Sequence, residues 1–283
     1  LGAPVERVIL RGDAGDRALK LAAPSPALWI FHLNPPELLW ALACLGPDNV
    51  TGVRYGYWAW ELPKAPPRWL ADARLIDEVW APSRYTAEAL AGAAAPVRIV
   101  PHPLFAEDYA DVAPEPRRAG FQAVALFDFN SSAARKNPEG AIEAFARAFG
   151  ADPGCELVLK TQNGGAHPQA LAALRARAPA NVRIVDEVWP YARVKALIAG
   201  ADALVSLHRA EGFGLTVAEA MALGTPAVAT AFSGVVDFAG AGGALMVPWP
   251  PVAVDDPQGI YRGQTWAEPD LDAAAVALRK LRD

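Results

Sequence analysis

Two glutamates, Glu211 and Glu219, stand with seven residues between them in the run EGFGLTVAE. Carboxylates accept hydrogen bonds from hydroxyl pairs when both are aimed at one place. The flanking sequence predicts that they are. Residues 202–208 (DALVSLH) are apolar, short and bounded by turn signals, as a buried strand is. Gly212 and Gly214 permit a tight turn and close approach of backbone to a ligand. Residues 215–223 then read as a helix stopped by Gly224. One carboxylate is thereby expected in the turn and the other in the first turn of the helix. In open α/β sheets ligands bind at the carboxyl ends of the strands. The unpaired N–H groups and positive dipole of a helix N-terminus suit phosphate. Phosphate at a helix start, with hydroxyl acceptors beside it, is the chemistry of a sugar nucleotide. A single glutamate here would read as a solvated loop residue, or as an acid favoured early in a helix. Two glycines, a strand before and a helix after, all in the required places, argue for the site.

The run continues as EGFGLTVAEAMALGTPAVAT at residues 211–230, followed by FSGVVDF at 232–238. It resembles the donor-site signature of retaining glycosyltransferases of family four, which have the two-domain GT-B fold. Upstream, GYWAWELP (56–63), IDEVWAPSRYTAEAL (76–90), RKNPEGAIEAFARAF (135–149) and SLHRAEGFGL (206–215) extend the likeness. Together they are similar to the branch of that family used in bacterial surface-polysaccharide assembly. The likeness spans about residues 28–270, and the glutamate pair is its most specific part.

The resemblance implies roles for individual residues. Glu219 would accept hydrogen bonds from the two ribose hydroxyls, and Glu211 would face the donor sugar. Phe213, Gly214 and Leu215 would offer backbone N–H groups to sugar and phosphate. Lys136 matches the family's diphosphate-binding lysine. The family's arginine, several residues earlier, has no counterpart in FDFNSS (127–132), so Arg135 or Lys160 is expected to substitute for it. The base would be held at residues 185–188, which include Asp186 and Glu187, mainly by backbone contacts. Such contacts leave uridine and guanosine undistinguished. His208 and Arg209 are expected to shape the donor pocket.

The residues themselves support a phosphate site. Arg135 and Lys136 follow a strand and precede the proline of the next helix. Cations there oppose the helix dipole, so an anion between them would account for their position. A leaving diphosphate needs cations that stay charged and reach two phosphates. Trp58, Trp60 and Glu61 end a strand expected to face the cleft between domains. Aromatic faces suit sugar rings and a carboxylate suits hydroxyls. The tryptophans read equally well as core, since half of a strand's side chains point inward. His32, at the end of ALWIFH, joins the acceptor side; His102, in VPHPL, reads as structural.

The chain has 283 residues, room for one large or two ordinary domains. Hydrophobic content of 53% and charged content of 20% argue for a large core and against disorder. A net charge of −5 argues against a nucleic-acid partner, which calls for a basic patch or stripe. No apolar run reaches the roughly 18 residues of a membrane span. Cys44 and Cys155 have no metal-ligand spacing and read as reduced core thiols in a cytoplasmic protein. No secretory signal is visible, and the first residue is Leu1. No Asp-x-Asp pair follows a strand, DFN at Asp128 included, so no metal and no other cofactor is expected. Basic side chains and the helix N-terminus would take the divalent ion's role.

Strand–helix alternation in two blocks predicts an α/β protein of GT-B type. Two Rossmann-like, doubly wound parallel sheets would face a cleft. The expected division is an N-terminal acceptor-side domain at 1–115, a nucleotide-sugar domain at 116–268 and a C-terminal helix at 269–283. The polar, proline-rich stretch 106–118 reads as the linker, and residues 247–264 read as irregular. Val5 to Leu10 is a strand candidate, but RGDAGD is a poor match to the glycine-rich loop that normally opens this fold. The N-terminal domain is therefore expected to be incomplete or unusually small.

These readings predict a retaining, metal-independent glycosyltransferase acting on a nucleoside-diphosphate sugar. It would move a hexose to a glycan or lipid-linked glycan acceptor in surface-polysaccharide biosynthesis. The expected location is the cytoplasm, with peripheral association at the inner face of the membrane. One rival is a sugar-nucleotide epimerase of GT-B fold, which needs acid–base residues around the sugar and gives the WAWEL stretch no purpose. The other is a degenerate donor-binding scaffold module, which an incomplete N-terminal half favours.

Overall fold

The computed structural model of the chain describes residues 27–117, 119–257 and 259–283. The strand candidate at Val5 to Leu10 and the RGDAGD loop lie outside the described residues. Alternating strands and helices build two parallel sheets. The first block runs β1 (Ala27–Phe31), α1 (Pro35–Leu45), β2 (Gly52–Tyr57), α2 (Pro67–Asp72), β3 (Glu78–Ala81), α3 (Arg84–Ala89) and β4 (Val97–Ile99). Its strands lie side by side in chain order. α1 opens on Pro35, where a missing N–H costs nothing, and stops at Gly46 with φ 79°.

The second block begins with β5 (Phe121–Asp128), α4 (Ala133–Lys136), α5 (Pro138–Phe149), β6 (Cys155–Gln162), α6 (Pro168–Arg177), β7 (Val182–Asp186) and α7 (Tyr191–Ala199). It continues with β8 (Ala203–Ser206), α8 (Leu215–Ala222), β9 (Ala227–Thr230) and β10 (Leu245–Val247). The strand order is β10-β9-β8-β5-β6-β7. The chain moves outward from β5 to β7, then returns to the other flank of β5 with β8. The carboxyl ends of β5 and β8 therefore border the topological switch point, where a parallel sheet leaves a crevice. Covered on both faces, β5 is nearly continuously buried, which explains its apolar run FQAVALF.

Residues 247–264, expected to be irregular, contribute β11 (Pro251–Ala253), which pairs antiparallel with β12 (Thr265–Ala267). Strands of three residues are too short to display a two-residue period. α9 (Leu271–Arg282) is capped by Asp270, whose carboxylate accepts from the amides of Asp272 and Ala273. Its Ala274 and Leu278 share a core with Phe145 and Phe149 of α5. The stretch expected as linker lies along α7, with the Glu115 amide donating to the Ala196 carbonyl at 2.8 Å.

The Gly212 carbonyl is one joint between the two sheets. Ser83 accepts from the Thr86 amide and so caps α3. The same hydroxyl donates to the Gly212 carbonyl at 2.6 Å, and the Thr86 hydroxyl approaches it at 3.1 Å. Beside this joint, the Arg84 amide donates to Asp237 at 2.6 Å. Ser83→Ala removes both a cap and a buried partner of a backbone carbonyl. The expected loss is about 1–3 kcal/mol of stability, read from the midpoint of urea unfolding. An unchanged midpoint would show that Thr86 alone sustains the joint.

Candidate functional site

The loops after β5 and β8 are sewn together by backbone geometry. Asn137, in the left-handed region at φ 54°, caps α5 through the Gly140 amide. Its side-chain amide donates to the Leu207 carbonyl at 2.9 Å. The Arg209 amide donates to the Arg135 carbonyl at 2.7 Å. Arg209 also reaches the Ala134 carbonyl at 2.7 Å while pairing with Glu268. Opposite, the Glu211 amide donates to the Ser233 hydroxyl and the Gly234 amide to the Glu211 carbonyl. A Cβ on Gly234 would stand 2.2 Å from the Gly212 carbonyl, so only glycine allows this close approach.

These ties bring three charged groups together. The Lys136 ammonium lies 2.5 Å from the Glu211 carboxylate, and the Arg135 guanidinium 3.3 Å from it. The anion expected between the two cations is, in the free protein, Glu211. Burial pushes its carboxyl up, but Lys136 and then Arg135 outweigh this and hold it down to about 2. Arg135 is buried and donates to the Ala210 carbonyl at 2.8 Å, with Glu61 at 3.7 Å. Burial disfavours its charge, yet Glu211 and Glu61 raise its affinity for the proton. Its guanidinium is committed to protein groups, whereas the Lys136 side chain is partly open to solvent.

Above this cluster α8 begins at Gly214, which has φ 94° and supplies no side-chain cap. A Cβ there would lie 2.4 Å from Val235. Phe213 packs on Phe238, and Leu215 is exposed at the helix start. Glu219 is buried on α8 and accepts a short hydrogen bond from the Tyr191 hydroxyl. Burial raises its carboxyl's pKa, with Tyr191 and Lys195 opposing the rise. His208 is buried with both ring nitrogens engaged, by the Ser206 hydroxyl at 3.0 Å and the Phe232 carbonyl at 3.3 Å. Burial lowers its pKa. Both ring nitrogens are thus spent on protein groups.

Lys160 departs from the expectation that it could join Arg135 and Lys136. Its ammonium donates to the Thr161 and Glu187 carbonyls, at 2.8 and 2.6 Å, and lies 5.0 Å from the Trp189 ring. The lysine leaves β6 on the side of β7, so it braces the loop that carries Asp186 and Glu187. Asp186 accepts from the Gly164 amide, and Glu187 from the Trp189 indole.

The tryptophan wall is a correction. Trp58 is 0% exposed and Trp60 4%, so both are core. β2 ends before them, and the following residues pass beneath the β11–β12 pair. Trp60 packs edge-on against Trp69 and Tyr261, at 5.0 and 5.6 Å, and donates to the Lys64 carbonyl. Glu61 does reach the crevice, between Arg135 and the Tyr261 hydroxyl, which donates to it at 3.2 Å. His32 is exposed and stacks on Tyr57 at 4.9 Å. Tyr57 contacts His102, and His102 contacts Phe213, at 5.1 Å each. This column of rings links the strand ends of the first sheet to the glycine-rich turn of the second. Burial, then the charge of His32, lowers the pKa of His102.

The segment from the end of β5 to just beyond β10 holds the charge cluster, the glycine-rich turn and Glu219. Residues 129–249 match the family model of glycosyl transferases group 1. The matched segment contains Arg135, Lys136, Lys160, Glu211 and Glu219. Most of the chain is similar in fold to a trehalose-6-phosphate protein from E. coli bound with UDP-2-fluoro glucose. There the TM-score is 0.67 at 13% identity, covering 90% of this chain and 65% of that one. An α,α-trehalose 6-phosphate synthase from Burkholderia multivorans gives a TM-score of 0.67 at 14% identity, covering 92% and 64%. A UDP-forming synthase from Burkholderia xenovorans, in complex with glucose-6-phosphate, gives 0.64 at 13% identity, covering 90% and 64%. The chain therefore has a GT-B-like fold and spans about 65% of the length of these proteins. No curated protein sequence matches the chain.

Sequence reasoning missed Ser83, Thr86 and Tyr191. Nothing local predicts a carbonyl 129 residues away as the partner of the Ser83 hydroxyl. Tyr191 lies 28 residues before Glu219, and only the α7–α8 packing unites them. The group 1 segment also makes a pH prediction. Glu211's carboxyl is depressed in the folded state, so its stabilisation is complete above about pH 4.5. It is lost as pH falls towards about 2. Glu211→Gln should flatten the fall in urea midpoint between about pH 5 and about pH 2.5. At neutral pH, Glu211→Ala should cost up to about 3–5 kcal/mol, because it leaves buried Arg135 with Glu61, 3.7 Å away, as its remaining carboxylate.

Proposed function

We propose that the chain is a retaining glycosyltransferase that moves a hexose from a nucleoside-diphosphate sugar to a glycan acceptor in surface-polysaccharide biosynthesis. The observation that carries this reading is the Lys136–Glu211 pair at the switch point, beside the uncapped start of α8. On this reading the diphosphate replaces Glu211 as the partner of Lys136 and lies against the first amides of α8. Charge developing on the leaving phosphate then meets an ammonium already in position. Glu211 stays paired with Arg135 and faces the donor sugar, so Arg135 acts through Glu211. Glu219 accepts the ribose hydroxyls, and the loop with Asp186 and Glu187 borders the base. The acceptor arrives on the face from which the phosphate leaves, which gives retention.

The acceptor side of this reading rests on His32 and Glu61, the two exposed or half-open residues of the first sheet's loops. A lipid-linked glycan would bring the protein to the inner face of the membrane as a peripheral partner. Among the described residues no helix is long and apolar enough to cross one. The accompanying domain division is an acceptor-side unit at 1–115, a nucleotide unit at 116–268 and a closing helix. The structural neighbours' descriptions, UDP-forming among them, favour UDP as the first nucleotide to test.

Radiolabelled donor sugars incubated with and without a lipid-linked glycan test the reading. Acceptor-dependent transfer that survives excess EDTA is expected, since Lys136 and the helix N-terminus take the metal's role. Transfer that stops with chelator and returns with magnesium or manganese overturns the metal-independent account. Interconversion of free nucleotide sugars would identify an epimerase. Lys136→Ala should weaken UDP or GDP binding by about tenfold or more while sparing uridine or guanosine. Equal losses for nucleoside and diphosphate would remove Lys136 from the phosphate site.

A further inference from the structure

The carboxylate of Glu219 is buried, and a buried carboxylate without a donor is costly. In the free protein the donor is a residue from another element. Tyr191 opens α7 directly after Pro190, and its hydroxyl donates a short hydrogen bond to Glu219. Tyr191 is nevertheless 52% exposed, so its ring is held by few core contacts. What holds it is a small surface cluster. The Tyr109 hydroxyl stands 3.2 Å from that of Tyr191. The Lys195 ammonium lies 5.1 Å from the Tyr191 ring and 5.2 Å from the Tyr109 ring, and donates to the Asp108 carbonyl.

We propose that Tyr191 is a gate on the nucleoside site: its phenol occupies the Glu219 carboxylate that a ribose diol takes, and nucleotide entry displaces it. The inference rests on the donor-site reading of Glu219. A phenol O–H and a sugar O–H make the same kind of bond to a carboxylate, so one can stand in for the other. Two side-chain torsions suffice to swing an exposed tyrosine aside, whereas Glu219 is fixed within α8. The gate spares the free protein an unsatisfied buried carboxylate. It also lowers apparent affinity, because only the fraction with Tyr191 withdrawn is competent to bind. Withdrawal breaks the Tyr191–Tyr109 contact, so the segment after the first sheet senses occupancy of the second.

Calorimetric titration of UDP and GDP, their nucleosides and pyrophosphate into wild type, Tyr191→Phe, Glu219→Gln and the double variant tests this. Tyr191→Phe is expected to bind nucleotide and nucleoside about fivefold to tenfold more tightly, with pyrophosphate unchanged. The gain should vanish in the Glu219→Gln background, since both changes act on one hydrogen bond. If Tyr191→Phe binds equally or more weakly while Glu219→Gln weakens binding, the donor site stands and the gate is overturned. If Glu219→Gln leaves nucleotide affinity unchanged, or no nucleotide binds wild type, the donor-site reading falls and the gate with it.

Discussion

A buried carboxylate held between two cations is the constraint on which the rest of the site depends. Glu211 could not stay ionised in its buried position without Lys136 and Arg135. Both cations lie in the last turn of α4, directly before the start of α5. The three groups come from two loops, and the loops meet only because β5 and β8 are neighbours at the switch point. The side chains of Asn137 and Arg209 then fix the loops to one another by donating to backbone carbonyls. One cation is locked inside, and one is partly open.

The same turn that carries Glu211 also joins the two sheets. The Gly212 carbonyl accepts from Ser83 and Thr86 of α3, while Gly234 packs against its other side. Around this polar joint an apolar cluster runs from Trp58 and Trp60 through Ala210 to Tyr261 and Trp266. The β11–β12 pair belongs to this cluster, with Gln264 exchanging hydrogen bonds with the Lys64 backbone. The chain after the second sheet therefore closes over the first. Glu61 is part of that closure, since it answers Arg135 on one side and Tyr261 on the other. Movement of one sheet relative to the other would have to disturb the charge cluster itself, which couples the cleft's geometry to its electrostatics.

The failures of the sequence reading have a common form. Trp58 and Trp60 looked like a sugar platform because they end a strand that points at the cleft. Strand direction does not say which later segment covers the residues, and the cover comes from 200 positions downstream, as the Tyr261–Glu61 contact shows. Lys160 looked like a second phosphate cation because β6 adjoins β5. A strand has two neighbours, and the side chain turned to β7.

Local chemistry was readable from the chain by itself. Alternation of apolar runs and capped helices set the parallel α/β architecture, because burial and backbone hydrogen bonding act over a few residues. The proline after Lys136 marked the start of α5 and Gly224 the end of α8, since φ limits are properties of single residues. The spacing of Glu211 and Glu219 placed one in a turn and the other in the helix for the same reason, although Glu219 lies one residue beyond the first helical turn expected for it. Tertiary structure alone decided which partners these groups have. Lys136 and Glu211 are 75 residues apart, Ser83 and Gly212 129, and Tyr191 and Glu219 28. Such pairings depend on strand order and on which surfaces exclude water, and both are settled by the packing of the whole chain rather than by any window of it.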